Sequence, residues 1–316
     1  MKSGRRFVAL ILVFMLTMSM VVPQASADYV GFEDVPSTHW ACKVITKWAS
    51  GGYNVLMGDG KGKFYPDRGI TLGELATILS KIFGYNERTE IEVTPNWADE
   101  FVEKAVAAGV IDKADKIDAS IVLSREQAIK YIAIAYNVEP IEGNTTFLDD
   151  ADIKTEYKPY VNAFQKLGYV VGNNSDPTKS MFNPQGIYTR AAAMQVIDNM
   201  TSEIIDNSVD GQIYDKSVIV RKSGVEISNT TVKGNLIIGQ GVGDGAVTLN
   251  DVLIEGILIA YGGGSNSIVV KGDNAIKSTI VNKPFGEAVH LDGVFETITV
   301  ANGTKVIITG KVNKLV

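Results

Sequence analysis

The chain has 316 residues, with 30 Lys+Arg against 36 Asp+Glu and a net charge of −6. An acidic balance argues against nucleic acid as a partner, since that needs a basic surface. The single cysteine, Cys42, excludes an internal disulfide, and the length points to two or more domains.

Residues 1–27 read as an export leader. Lys2, Arg5 and Arg6 give a positive start, Phe7 to Val22 is a nearly unbroken apolar run, and Ala25-Ser26-Ala27 offers small residues for cleavage before Asp28. The run is short for a membrane span of about 20 residues, so no stable membrane insertion is expected once the leader is removed. The chain after it carries 27 Lys+Arg against 36 Asp+Glu, a balance of −9. Cys42 reads as a small buried side chain on the first helix, with a reactive thiol as the alternative.

From residue 28 to 205 one pattern is written three times, with expected copies at 28–88, 89–142 and 143–205. The first copy runs from Phe32-Glu33-Asp34-Val35 through His39-Trp40-Ala41 and Gly58 to Pro66, and closes on Ile70-Thr71-Leu72-Gly73-Glu74. Shifted by 57 residues, Trp40-Ala41, Ile45, Trp48 and Gly52 become Trp97-Ala98, Val102, Ala105 and Gly109; shifted by 116, the last three become Val161, Phe164 and Gly168. Ala41, Val44, Ile45 and Trp48 sit at helical spacing, and so do Leu75, Ile78, Leu79 and Ile82. Each copy therefore predicts helix, loop, helix, with a glycine stopping the first helix. Thr71 to Glu74 and Ser124 to Gln127 predict capping boxes at the start of the second helix; Thr189 keeps the cap, but Ala192 removes its return partner.

Beyond residue 205 the pattern becomes strand-like, in short aliphatic runs separated by Gly, Asn and Asp turns. A period of 22 aligns Val225, Val247 and Val269; Val232, Ile254 and Ile276; Leu236, Leu258 and Ile280; and Ile237, Ile259 and Val281. Such aliphatic ladders predict a right-handed parallel β-helix over 206–316. Asn229, Asp251 and Asp273 also align, as stacked turn residues or as oxygen ligands for Ca²⁺.

The motifs Phe-x-Asp-Val, His-Trp-Ala, Gly-x-Phe-x-Pro and the closing Thr71–Glu74 tetrad resemble the S-layer homology domain, over roughly residues 31–202. The resemblance implies three all-α repeats in a pseudo-threefold unit, the SLH trimer, with grooves between copies that hold the pyruvylated polysaccharide of a bacterial cell wall. It implies polymer contacts from Asp34, Trp40, Thr71, Glu74, Trp97, Ser124, Arg125, Thr189 and Arg190. An Arg just inside a helix start, with free backbone N–H groups beside it, suits a carboxylate, and a Trp face suits a sugar ring; both tryptophans would equally fit a helix core. The pattern is worn where binding is expected. Leu72 replaces the basic residue of copy one, with Arg68 close by, and copy three has Glu156 for Trp and Ala192 for the acid.

No Ser-His-Asp signature, metal-ligand spacing or phosphate loop is evident, so no catalytic residue, metal or cofactor is expected. The expected protein is exported, non-catalytic and wall-attached. Two rival readings stay open: an enzyme acting on acidic polysaccharide along the β-helix, and a β-helix that associates with itself or with other surface proteins through its end at Lys314-Leu315-Val316.

Overall fold

A computed structural model describes residues 31–49, 52–85, 96–113, 118–174, 176, 179–283 and 286–316. The expected leader lies outside the described residues, and so does the start of the second copy as far as residue 95. Among the described residues, six α-helices precede all of the strands. They are α1 (Cys42–Ala49), α2 (Leu72–Phe83), α3 (Asp99–Ala107), α4 (Arg125–Ala135), α5 (Lys158–Lys166) and α6 (Arg190–Met200).

The three copies thus each supply a helix pair, and the apolar stripes explain their packing. Ile45, Trp48, Ile82, Ala105, Ile132, Phe164 and Ile197 are all buried in one core. The second helix of one copy packs on the first helix of another: α2 on α3, α4 on α5, and α6 on α1. Asp198 on α6 fixes the last contact, accepting hydrogen bonds from Lys47 Nζ at 2.7 Å and Trp48 Nε1 at 3.0 Å. Gly109 and Gly168 follow the first helices with φ of 74° and 73°, left-handed values that a side chain would strain.

The caps form as the spacing predicts. Thr71 and Ser124 each complete a capping box, and Thr189 caps α6 from one side only. The segments that lead into α2, α4 and α6 also pair with one another. Antiparallel bridges join Thr71 to Val122, Ser124 to Ile187, and Thr189 to Gly69. The first N–H of each helix donates to a carbonyl of another copy: Leu72 to Ile121, Arg125 to Gly186, and Arg190 to Arg68. Backbone groups that a helix start normally leaves orphaned are in this way satisfied between copies.

The strands begin at once where α6 ends. β1 (Thr201–Ile205) pairs in parallel with β4 (Ser217–Val220), so the strand stack starts at Thr201, ahead of the boundary expected at 206. The rest are β2 (Val209–Asp210), β3 (Ile213–Tyr214), β5 (Val225–Ser228), β6 (Thr231–Val232), β7 (Leu236–Ile238), β8 (Val247–Asn250), β9 (Leu253–Ile254), β10 (Leu258–Ala260), β11 (Val269–Lys271), β12 (Ala275–Ile276), β13 (Ser278–Val281), β14 (Val289–Val300) and β15 (Val306–Leu315). They form a parallel β-helix of about six turns. One face stacks β1, β4, β7, β10 and β13; a second stacks β2, β5, β8 and β11; a third stacks β3, β6, β9 and β12. The long β14 serves the first two faces, and β15 pairs along it.

The 22-residue period holds on the third face, where Val232, Ile254 and Ile276 pair in turn, but is broken at β11 and β13. Val225 pairs with Val247 and Leu236 with Leu258, but Val269 pairs with Thr248 and Ile280 with Ile259. Ile268, at a φ of 46°, is fully buried while Val269 is only half-buried. The interior slot is filled by Ile268, which moves the strand by one residue and turns the expected aliphatic outward. Asn229 and Asp251 are turn residues with left-handed φ values of 49° and 56°, and Asp273 donates its N–H to the Asp251 carboxylate.

Helices and strands share a core. Ile219, Ile237 and Ile259 on the first face are buried with the helical residues rather than inside the coil. Full burial of each contributes about 1.5–3 kcal/mol. Phe83 at the end of α2 meets Tyr136 edge-on at 5.0 Å and Tyr261 at 6.4 Å. Arg221, just after β4, pairs with Asp206 and donates to the carbonyls of Tyr53 at 3.0 Å and Lys81 at 2.8 Å.

Candidate functional site

The interlocked helix starts change the chemistry expected at the starts of α2, α4 and α6. In α4, the N–H of Arg125 goes to Gly186, that of Glu126 to Pro184 and that of Gln127 to the Ser124 hydroxyl. In α6, Arg190 donates to Arg68, Ala191 to Pro66 and Ala192 to the Thr189 hydroxyl. In α2 the acceptors are Ile121, Ala119 and Thr71. The free N–H groups expected beside each arginine are therefore already spent. Any hold on an anion rests on the guanidinium groups.

The two arginines occupy corresponding positions with different neighbours. Arg190 lies over the Phe64 ring at 4.4 Å, donates to the Met57 carbonyl, and pairs with the Glu74 carboxylate, which also pairs with Arg68. Only 8% of Arg190 is exposed. Burial lowers its pKa, and Glu74 opposes that fall. Arg125 lies over the Phe182 ring at 4.6 Å and donates to the carbonyls of Phe182 at 2.7 Å and Val171 at 2.8 Å. Among the described residues no carboxylate forms an ion pair with it. Burial lowers its pKa too, with Tyr188 and Asp149 opposing; a guanidinium keeps its charge at neutral pH regardless.

The contrast follows from the worn positions. Arg190 of copy three reaches the acid of copy one. Copy three offers Arg125 only Ala192 at the matching place, so no carboxylate pairs with it and Asp149 acts on it only at longer range.

Arg125 lines a groove of about 360 Å³ together with Trp40, Val171, Asn173, Ile187 and Thr189. The groove collects residues from all three copies. Trp40 is 59% exposed and Ile187 72% exposed. An exposed indole, a guanidinium without an ion pair and apolar walls suit an acidic sugar: a ring face, a bidentate partner and a dry flank.

The other expected site residues are placed elsewhere. Trp97 is 65% exposed but stands against Phe101 on α3, outside this groove. Asp34 spends both carboxylate oxygens on the N–H groups of Phe64 and Tyr65, at 2.8 and 2.7 Å. Thr71 and Ser124 cap helices, and Glu74 adds its ion pairs to the capping box. These four hold the framework, while Arg125, Trp40 and Thr189 line the groove.

Two residues that shape the site were not singled out in the sequence. Asp149 repeats the part of Asp34, accepting from Phe182 at 2.8 Å and Asn183 at 2.6 Å. It thereby fixes the carbonyl that Arg125 grips. Phe147-x-Asp149 matches Phe32-x-Asp34, so the signal was present. Fully buried Glu126 accepts from Lys154 N–H and the Gln185 amide, tying α4 to copy three; no local pattern marks it.

A larger cavity of about 590 Å³ lies where the second copy meets the β-helix, lined by Tyr85, Asn137, Tyr261 and Lys283 among others. None of the expected site residues reaches it.

A family model of the S-layer homology domain matches residues 31–76. The chain is 25% identical over 241 residues to an S-layer protein of Bacillus thuringiensis subsp. finitimus, covering 73% of this chain and 28% of that protein. It is 26% identical over 211 residues to the Surface-layer 125 kDa protein of Lysinibacillus sphaericus, covering 65% and 17%. It is 28% identical over 154 residues to a cellulosome-anchoring protein of Acetivibrio thermocellus, covering 44% and 32%. The chain spans less than a third of the length of each of these relatives. Among the described residues no helix is long and apolar enough to cross a membrane. Residues 31–76 thus match the S-layer homology domain, and further helix pairs and a parallel β-helix follow them.

Proposed function

We propose that this is an exported, non-catalytic surface protein held to the cell wall by its helical repeats. The three copies act as one pseudo-threefold unit, and the bound polymer is an acidic, pyruvylated secondary polysaccharide of the wall. The carrying observation is the groove in which Arg125, free of any ion pair among the described residues, stands beside the exposed Trp40. The cyclic bridges among the three lead-in segments support the threefold reading. The S-layer, surface-layer and cellulosome-anchoring names of the relatives support anchoring at the wall.

Binding is concentrated in this one groove, because Glu74 neutralises Arg190 and copy one has Leu72 instead of a cation. The β-helix is a structural or interaction module carried by the anchor. His290 fits a non-catalytic reading, since its ring nitrogens engage the Ser265 carbonyl and the Thr309 hydroxyl. The test is sedimentation of the full chain with purified wall sacculi, native or stripped of their secondary polymer. Wild type should pellet only with native sacculi, and Arg125→Ala should stay in solution. Equal pelleting of the variant would reject the assignment.

A further inference from the structure

The groove does not end at Val171. On the other side of the segment from Val170 to Asn173 lies a second hollow of about 490 Å³, and those residues line both. Val171, 73% exposed, forms the saddle between them, while its carbonyl is held by Arg125 from the groove side.

The second hollow has a different character. Its polar side chains are neutral: Thr146, Gln165, Asn173, Asn174 and Ser180. The three amides are oriented by the backbone. Gln165 Oε1 accepts from Thr146 N–H at 2.8 Å, Asn173 Oδ1 from Met181 N–H at 3.0 Å, and Asn174 Oδ1 from Asp176 N–H at 2.9 Å. Each amide has its acceptor occupied, and its NH₂ group has no partner among the described residues. A side-chain amide held by its oxygen presents two donors in a fixed direction. Three such amides make a donor-rich, uncharged surface, complementary to the hydroxyl, ring and carbonyl oxygens of a neutral sugar.

We infer that this hollow is a second polymer subsite, taking the uncharged sugar next to the acidic one held at Arg125, with the chain crossing over Val171. The inference rests on the groove binding the acidic sugar. It adds that affinity is set by more than one residue of the polymer, and that the neighbour is read by donors rather than by charge.

The test is isothermal titration of the full chain with two probes, purified secondary wall polymer and a single pyruvylated sugar. Gln165→Ala with Asn174→Ala removes two donors. Gln165→Glu with Asn174→Asp keeps each backbone acceptor bond and so preserves the loop. Both double variants should bind polymer about tenfold more weakly, the worth of roughly two hydrogen bonds. Their affinity for the single sugar should match wild type. Unchanged polymer affinity in the alanine pair would overturn the subsite, as would a loss confined to the acidic pair, which would reflect charge repulsion. Equal loss for both probes would overturn it too, as a disturbance of the groove itself. Arg125→Ala separates the two ideas: loss of both probes upholds the groove whatever the amide variants do, and no loss of either removes groove and subsite together.

Discussion

Arg190 and Glu74, 116 residues apart, form a buried ion pair that joins the third repeat to the first. Glu74 holds Arg68 at the same time and returns a hydrogen bond to its own helix cap. One carboxylate thus serves two cations and a helix start. This removes Arg190 from the supply of free charge and leaves Arg125 as the groove's cation.

Glu74→Ala should be among the most destabilising substitutions in the helical part. It leaves the buried Arg190 without its carboxylate and empties half of a capping box. Breaking a buried pair from one side costs about 3–5 kcal/mol. Urea unfolding of the full chain should show the midpoint falling with little change in slope. A loss under about 1 kcal/mol, the scale of exposed pairs, would contradict the burial argument.

Trp40→Ala and Trp97→Ala should differ in effect although both side chains are exposed. Neither fills the core, so each should change stability by about 0.5 kcal/mol or less. Trp40→Ala should weaken pelleting with wall sacculi, because Trp40 lines the groove with Arg125. Trp97→Ala should pellet like wild type. The reverse order would place the working groove on the second copy.

Asp149→Ala should weaken the site from beneath. The Phe182 and Asn183 N–H groups lose their acceptor, at a cost of about 1–3 kcal/mol, and the Phe182 carbonyl that orients Arg125 is released. Stability and wall binding should fall together. Asp34→Ala removes the equivalent support under Phe64 and Tyr65, and should reduce stability with a smaller effect on binding. Pelleting and chemical unfolding of both variants, side by side, check the distinction.

Alkali should unfold the protein through its buried tyrosines. Burial raises the phenol pKa of Tyr85, Tyr136, Tyr188 and Tyr261 above the ordinary value. A raised folded pKa gives stability that is complete below the unfolded value of about 10 and is lost as pH rises through the folded one. Tyrosinate absorbance should therefore show some of the 12 tyrosines ionising only together with loss of helical ellipticity. Smooth titration of every tyrosine with the fold intact would refute this.

Arg221→Ala should loosen the junction between helices and β-helix. Its guanidinium neutralises Asp206 and gathers carbonyls from α2 and the loop after α1. Calorimetry of wild type should show one transition, because Ile219, Ile237 and Ile259 belong to the helical core. The variant should melt earlier, and separation into two transitions would mark the junction as the weak layer. An unchanged melting profile would remove Arg221 from that role.

Local sequence determined the parts that depend on neighbours within a turn or a strand. Apolar residues at helical spacing set α1 to α6, hydroxyls before Glu74 and Gln127 set the caps, and stacked aliphatics set the coil of parallel strands. These are short-range preferences, so they can be read in order along the chain. The slip at Ile268 was hidden because two adjacent aliphatics fit one interior slot equally well, and packing against the previous turn chose between them. The site was less legible still. Its residues come from three copies, and its character depends on which cation is neutralised. Arg125 and Arg190 look alike in sequence, each just after a capping hydroxyl. Only the tertiary structure brings Glu74 to one and neutral carbonyls to the other, and turns the helix-start N–H groups toward neighbouring copies. Such pairings join residues up to 133 positions apart; they are selected by the closing of the whole helical unit, which no local period records.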